Sequence, residues 1–198
     1  LHWERFWAGL YLLKFKISRQ LNETFFERQI IELATKNNHS ELGRIRLQVL
    51  AINGFPPFEA QYYIETQALD SEIFANQKQG LKLEVLNNFA KPMLQESNFK
   101  ISHSLHYPLA KTAIMEQNID DVLLQNEAGN IIESAIANLF WIKENQVFTP
   151  PLRDACLAGT MRSFLIKKMA EHQIAVIEKS VSLEALLNAD ELFLCNSI

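Results

Sequence analysis

A chain of 198 residues with 48% apolar side chains and thirteen phenylalanines can bury a sizeable core, in one large domain or two small ones. A net charge of −4 without a basic run excludes the electrostatic footprint of a nucleic-acid binder, and no apolar stretch approaches the roughly 20 residues of a membrane span. Cys156 and Cys195 stand at neither CxxC nor zinc spacing, which disfavours a metal site or a disulfide framework and fits reduced thiols in a cytoplasmic protein.

In chain order, His2 to Leu13 predicts an amphipathic helix, with Phe6, Leu10 and Leu13 at helical spacing. A second helix is expected from Glu23 to Lys36, capped by Asn22 and apolar at Phe26, Ile30, Ile31, Leu33 and Ala34. The period then changes to two. Arg44–Leu50, Gln61–Thr66 and Leu81–Leu86 read as half-buried strands, with Asn53–Pro57 as a loop between the first two. Helices followed by strands predict a small α+β domain over residues 1–90. Asn87 to Asn98, polar and carrying Pro92, reads as the linker to a second domain over 91–198.

That second half predicts a helix from Ser104 to Gln117, a strand from Asp121 to Gln125, a turn at Glu127–Gly129 and one long strand from Ile131 to Lys143. A turn at Glu144–Asn145, a strand from Gln146 to Thr149, a helix from Gly159 to His172 and a strand from Ile174 to Ile177 follow. Ser182 caps a short helix, and Glu191–Cys195 is the closing strand.

Glu133 is the anomaly, a carboxylate inside an apolar strand, where an unpaired charge is strongly disfavoured. Either it lies at a solvated edge or in a structural ion pair, or it meets a positively charged ligand.

Asn98-Phe-Lys100, Glu133-Ser-Ala-Ile-Ala-Asn-Leu-Phe140, Thr149-Pro-Pro-Leu152 with Leu157-Ala-Gly-Thr-Met-Arg162, and Ala189-Asp-Glu-Leu-Phe-Leu-Cys-Asn-Ser197 follow one another in an order and spacing that resemble the C-terminal domain of the class IV aminotransferase family. His2-x-x-Arg5 is similar to that family's N-terminal signature. The resemblance implies the two-domain α/β (α+β) fold of the fold-type-IV enzymes, as in the D-amino-acid aminotransferases, with pyridoxal 5'-phosphate as cofactor and a homodimer as the working form. Ala137–Trp141, the 33-residue interval from Lys100 to Glu133 and the Cys195-Asn196 ending resemble the aminodeoxychorismate lyase branch; branched-chain and D-amino-acid aminotransferases share the scaffold.

The resemblance gives Lys100 the covalent bond to the cofactor and the proton transfer at the substrate carbon, which need an amine of lowered pKa, partly buried beside other cations. Glu133 would meet the pyridine nitrogen and, without the cofactor, lack a comfortable partner. Gly159, Thr160 and Met161 begin a helix whose amides would hold the phosphate, and Arg5 and Ser197 would join them. Asn138 and Leu157 complete the implied cofactor site. Many family members carry Tyr five residues after the lysine; Leu105 stands there, and whether the nearby Tyr107 substitutes is open. Arg162 is either a further cation for the phosphate or a surface residue.

Leu1 is not an initiator methionine, and the family's segment before His2 and its tail beyond Ile198 have no counterpart, so the small domain is expected to lack its first strands. His103 and His106 lack a third ligand for a metal. Cys156 and Cys195 read as small buried apolar groups, and Trp3, Phe6 and Trp7 as core or dimer contacts. The implied activity is conversion of 4-amino-4-deoxychorismate to 4-aminobenzoate and pyruvate, the alternatives being an aminotransferase of branched-chain or D-amino acids and a cofactor-free binding protein on the same scaffold.

Overall fold

The computed structural model describes residues 1–70, 79–101 and 104–197; His103 and Ile198 lie outside them. These residues form two compact units, one of Leu1–Arg5 with Gln79–Ser197 and a smaller one that begins at Phe6.

The smaller unit takes up helix α1 (His2–Leu12) from Phe6 onward, then β1 (Phe15–Lys16), α2 (Glu23–Lys36), β2 (Gly43–Ala51) and β3 (Phe58–Ala68). Asn22 starts α2 as expected, its Oδ1 accepting the Phe25 amide at 2.9 Å. Phe26 is its core: the rings of Phe6, Trp7, Phe25 and Tyr62 stand 5.2–6.1 Å from it, in the edge-on and tilted arrangements that ring quadrupoles favour. The alternation of β2 and β3 gives an antiparallel ladder from Gly43↔Ala68 to Ala51↔Ala60. Strand β1, too short to leave a periodic trace, adds parallel to β3.

The larger unit holds β4 (Leu83–Lys91), α3 (His106–Gln117), β5 (Asp121–Asn126), β6 (Ile131–Ser134), β7 (Asn138–Lys143), β8 (Gln146–Thr149), α4 (Thr160–Glu171), β9 (Val176–Glu178), α5 (Leu183–Leu187) and β10 (Glu191–Cys195). Its seven-stranded sheet runs β4-β5-β6-β7-β8-β9, and β10 also pairs with β7. Alternation along β5 sends Val122 and Leu124 into one apolar cluster, with Leu86, Ala110 and Ile132, and Leu123 into another, with Leu139, Trp141 and Phe148.

Two expectations change. Residues 87–91, expected as linker, continue β4, which pairs in parallel with β5 through a register shift between Val85 and Ala90. Two parallel neighbours need a crossover, and α3 supplies it. The strand therefore belongs to the larger sheet rather than to a domain ending at residue 90. The single strand expected from Ile131 to Lys143 is a hairpin instead: β6 and β7 are antiparallel, with Glu133 opposite Asn138. Ser134 Oγ accepts the Ala137 amide at 3.0 Å, the local side-chain bond that lets serine close a turn.

Candidate functional site

Glu133 is buried, and each of its carboxylate oxygens accepts one donor. Lys91 Nζ, itself buried, stands 2.6 Å from Oε1, and the Leu157 amide donates to Oε2 at 2.7 Å. Burial pushes the carboxyl pKa up, while the Lys91 charge, the Lys91 hydrogen bond and the Leu157 amide oppose the rise. The expectation that the chain itself leaves this carboxylate without a comfortable partner is corrected: the cation is Lys91, placed by the end of β4, and reading that segment as linker is what hid it.

Asn138, opposite Glu133 on the hairpin, donates from Nδ2 to the Leu157 carbonyl at 2.9 Å. The Leu157 peptide is thus held on both sides, by Glu133 at its amide and Asn138 at its carbonyl. Gly159 caps α4, and a Cβ placed there would overlap Asn138 Oδ1; its φ of −69° is open to any residue, so the close approach is what requires glycine. Thr160 and Met161 open α4, where the first amides have no partner within the helix. Thr160 Oγ1 lies 3.4 Å from His2 Nε2, and Arg5 donates to the Ala158 carbonyl at 3.3 Å. Burial first, then the charges of Arg5 and Lys100, hold the His2 pKa down. Burial also pulls Arg5 below the usual guanidinium value, with Tyr107 opposing. His2 and Arg5 therefore stand at the start of α4, and the Lys100 charge is within electrostatic reach of His2.

Lys100, expected to be partly buried, is exposed; its charge reaches His2. Asn98 ties its segment to the loop before α4. Nδ2 donates to the Leu152 carbonyl at 2.8 Å and to the Cys156 carbonyl at 2.7 Å, and the Asn98 carbonyl accepts the Ala158 amide at 2.9 Å. In the sequence Asn98 stands only as part of the lysine motif; an amide side chain two residues before Lys100 is the signal of this role.

Leu105 is 70% exposed. Tyr107 faces the site instead: burial raises its phenol pKa, the Glu133 charge adds to the rise and Arg5 opposes it. Arg162 is neither a surface residue nor turned to the phosphate position. It is buried, with Nη2 donating to the Pro150 carbonyl at 2.9 Å and to Glu178 at 2.8 Å, because its place in the first turn of α4 faces β8 and β9. Ser197 is exposed, beyond the strand that aligns Cys195 with Asn138. Among the described residues no three His, Cys, Asp or Glu side chains gather as a metal site, and no helix is long and apolar enough to cross a membrane.

The chain is 31% identical over 137 residues to an aminodeoxychorismate lyase of Vibrio harveyi, covering 68% of this chain and 50% of that one. It is 29% identical over 192 residues to the aminodeoxychorismate lyase of Bacillus subtilis, covering 90% and 64%. The chain thus spans between half and two thirds of the length of these curated relatives. A Legionella pneumophila structure that carries a provisional 4-amino-4-deoxychorismate lyase name superposes with a TM-score of 0.85 at 25% identity, over 100% of this chain and 72% of the other. The Escherichia coli branched-chain amino acid aminotransferase shares the fold, with a TM-score of 0.83 at 23% identity over 98% and 65%. The family model for amino-transferase class IV matches residues 1–198. With the motifs in register and the fold of both kinds of enzyme in common, the chain belongs to the class IV aminotransferase family.

Proposed function

We propose that the protein is a pyridoxal 5'-phosphate-dependent lyase that converts 4-amino-4-deoxychorismate to 4-aminobenzoate and pyruvate. Pyridoxal 5'-phosphate is the cofactor of the family, and aminotransferases of this fold have been solved with it or its derivatives. The observation that carries the reading is the pairing of a buried carboxylate, Glu133, with a helix start met by His2 and Arg5, with Lys100 in electrostatic reach of His2. Those residues fit the cofactor: each Glu133 oxygen accepts one donor and keeps a lone pair for a ring N–H, and the Thr160 and Met161 amides, which open α4 without partners inside the helix, suit a phosphate.

When bound, the cofactor supplies an electrophilic carbon for an amine and a ring that takes up the electrons of a neighbouring C–H bond. In this reading Glu133 holds the ring nitrogen protonated. The Thr160 and Met161 amides, with Arg5 and Ser197, would bind the phosphate, while Gly159, Asn138 and Leu157 fix the loop between the two ends. Lys100 would hold the cofactor and, with the substrate amine in place, would carry the proton from the substrate carbon. Loss of that proton and cleavage of the ring C–O bond would expel the enolpyruvyl group as the enolate of pyruvate, which takes a proton at its methylene carbon, and would leave the aromatic ring of 4-aminobenzoate. Tyr107, facing Glu133 and Arg5, fills the position that the exposed Leu105 leaves.

The relative aligned over 192 residues, a lyase, supports this branch. The second reading, a branched-chain or D-amino-acid aminotransferase, is favoured by the shared scaffold. The working form in either case is proposed as a cytoplasmic homodimer of the complete protein, with a smaller N-terminal and a larger cofactor-binding domain; the lyase would serve folate synthesis.

Two assays test this. Borohydride reduction with the cofactor, followed by peptide mapping, is expected to label Lys100. Purified full-length protein is then expected to form 4-aminobenzoate and pyruvate in equal amounts. A label on another lysine overturns the site; conversion of the cofactor to its pyridoxamine form by isoleucine or D-alanine, with no 4-aminobenzoate, overturns the lyase.

A further inference from the structure

Lys91 has no role in the family resemblance, yet it is among the few buried cations of the larger unit. Its side chain is 8% exposed, that of Glu133 is 6%, and 2.6 Å separates Nζ from Oε1. Removing one member of such a pair leaves an uncompensated buried charge, which is far costlier than removing both. The pair joins the end of β4 to β6 across the intervening β5, so it also fixes where the carboxylate points.

The geometry points to Lys91 as the positioning residue of Glu133: its ammonium is the fixed counter-charge that keeps this carboxylate ionised and aimed before any cofactor binds. The inference rests on the proposed function only for what the carboxylate is aimed at. A lone buried carboxylate takes up a proton at neutral pH; one held against an ammonium meets a ring nitrogen as an anion, and its basicity toward that nitrogen is lowered by the same cation. Lys91 thus sets how firmly the ring nitrogen keeps its proton.

The titratable groups around the pair do not blur this. His106 and Tyr107 come from α3, and Cys156 from the loop before α4. Burial and then the Lys91 charge hold His106 down at about 4, burial holds Cys156 up at about 12, and the Tyr107 phenol is raised. None of the three changes charge between pH 6.5 and 8.5, which leaves Glu133 as the group that responds when Lys91 is replaced.

The test compares Lys91→Met, Glu133→Gln, the double variant Lys91→Met/Glu133→Gln and Lys91→Arg. Thermal midpoints are measured between pH 6.5 and 8.5, and protons exchanged on pyridoxal 5'-phosphate binding are counted by calorimetry in two buffers. Lys91→Met is expected to lose stability more steeply than the wild type as pH rises, because the folded carboxyl pKa moves further up and ionisation then opposes folding. The double variant should lose that slope and be more stable than Lys91→Met at pH 8.5, while Lys91→Arg follows the wild type. The proton count of Lys91→Met should differ from the wild type by about one, the proton its Glu133 already carries. Equal slopes in Lys91→Met and the double variant overturn the inference, since a packing role would not distinguish them. If the wild type fails to bind the cofactor, the proposed function falls, and the slopes still decide whether Lys91 is the counter-charge.

Discussion

Asn138 Oδ1 occupies the space where a side chain on Gly159 would begin. The asparagine amide also holds the Leu157 carbonyl, and the Leu157 amide holds Glu133. One side chain therefore couples the helix start proposed for the phosphate to the carboxylate proposed for the ring nitrogen.

Gly159→Ala is expected to push Asn138 out of this position. Overpacking of this kind costs on the order of 1–3 kcal/mol, and cofactor affinity should fall with it because the Leu157 amide shifts away from Glu133. Gly159→Ala/Asn138→Ala removes the clash and is expected to recover stability without recovering affinity. Urea denaturation and cofactor titration of the three variants check this; additive stability losses would show that the two residues are independent.

Asn98 gives a second coupling, between the lysine segment and the loop that leads into α4. Asn98→Ala takes the donor from the Leu152 and Cys156 carbonyls and is expected to cost about 1–3 kcal/mol. Asn98→Asp should be worse at neutral pH, since a carboxylate cannot donate and would face two carbonyl oxygens. Denaturation midpoints at pH 7 give the order; an aspartate variant as stable as the wild type would contradict it.

His106 makes the fold sensitive to acid. Its folded pKa is lowered to about 4, first by burial and then by Lys91, from an ordinary value near 6.5. Between those values the unfolded chain binds the proton and the folded chain does not, so stability rises with pH there and is lost as pH falls from about 6.5 toward 4. His106→Gln is expected to flatten that part of the profile. Thermal midpoints from pH 4 to 7 check it, and a slope unchanged in the variant would assign acid sensitivity to other groups.

What the sequence determined by itself is local or carried by motif order. The Asn22 and Ser182 caps, the strands Gln146–Thr149 and Glu191–Cys195, and the helix beginning after Gly159 follow from short-range rules of capping and periodicity. The four motifs in register carried the family. Tertiary structure alone decided the partners. Lys91, in a polar segment before Pro92 that reads as linker, becomes the counter-charge of a residue 42 positions away. Asn98 reaches carbonyls 54 and 58 positions on, and Arg162 turns inward to Pro150 and Glu178. Periodicity reports which face of an element is apolar. It does not report which charge from a distant strand arrives at that face, because burial selects such pairs only once the sheet is assembled.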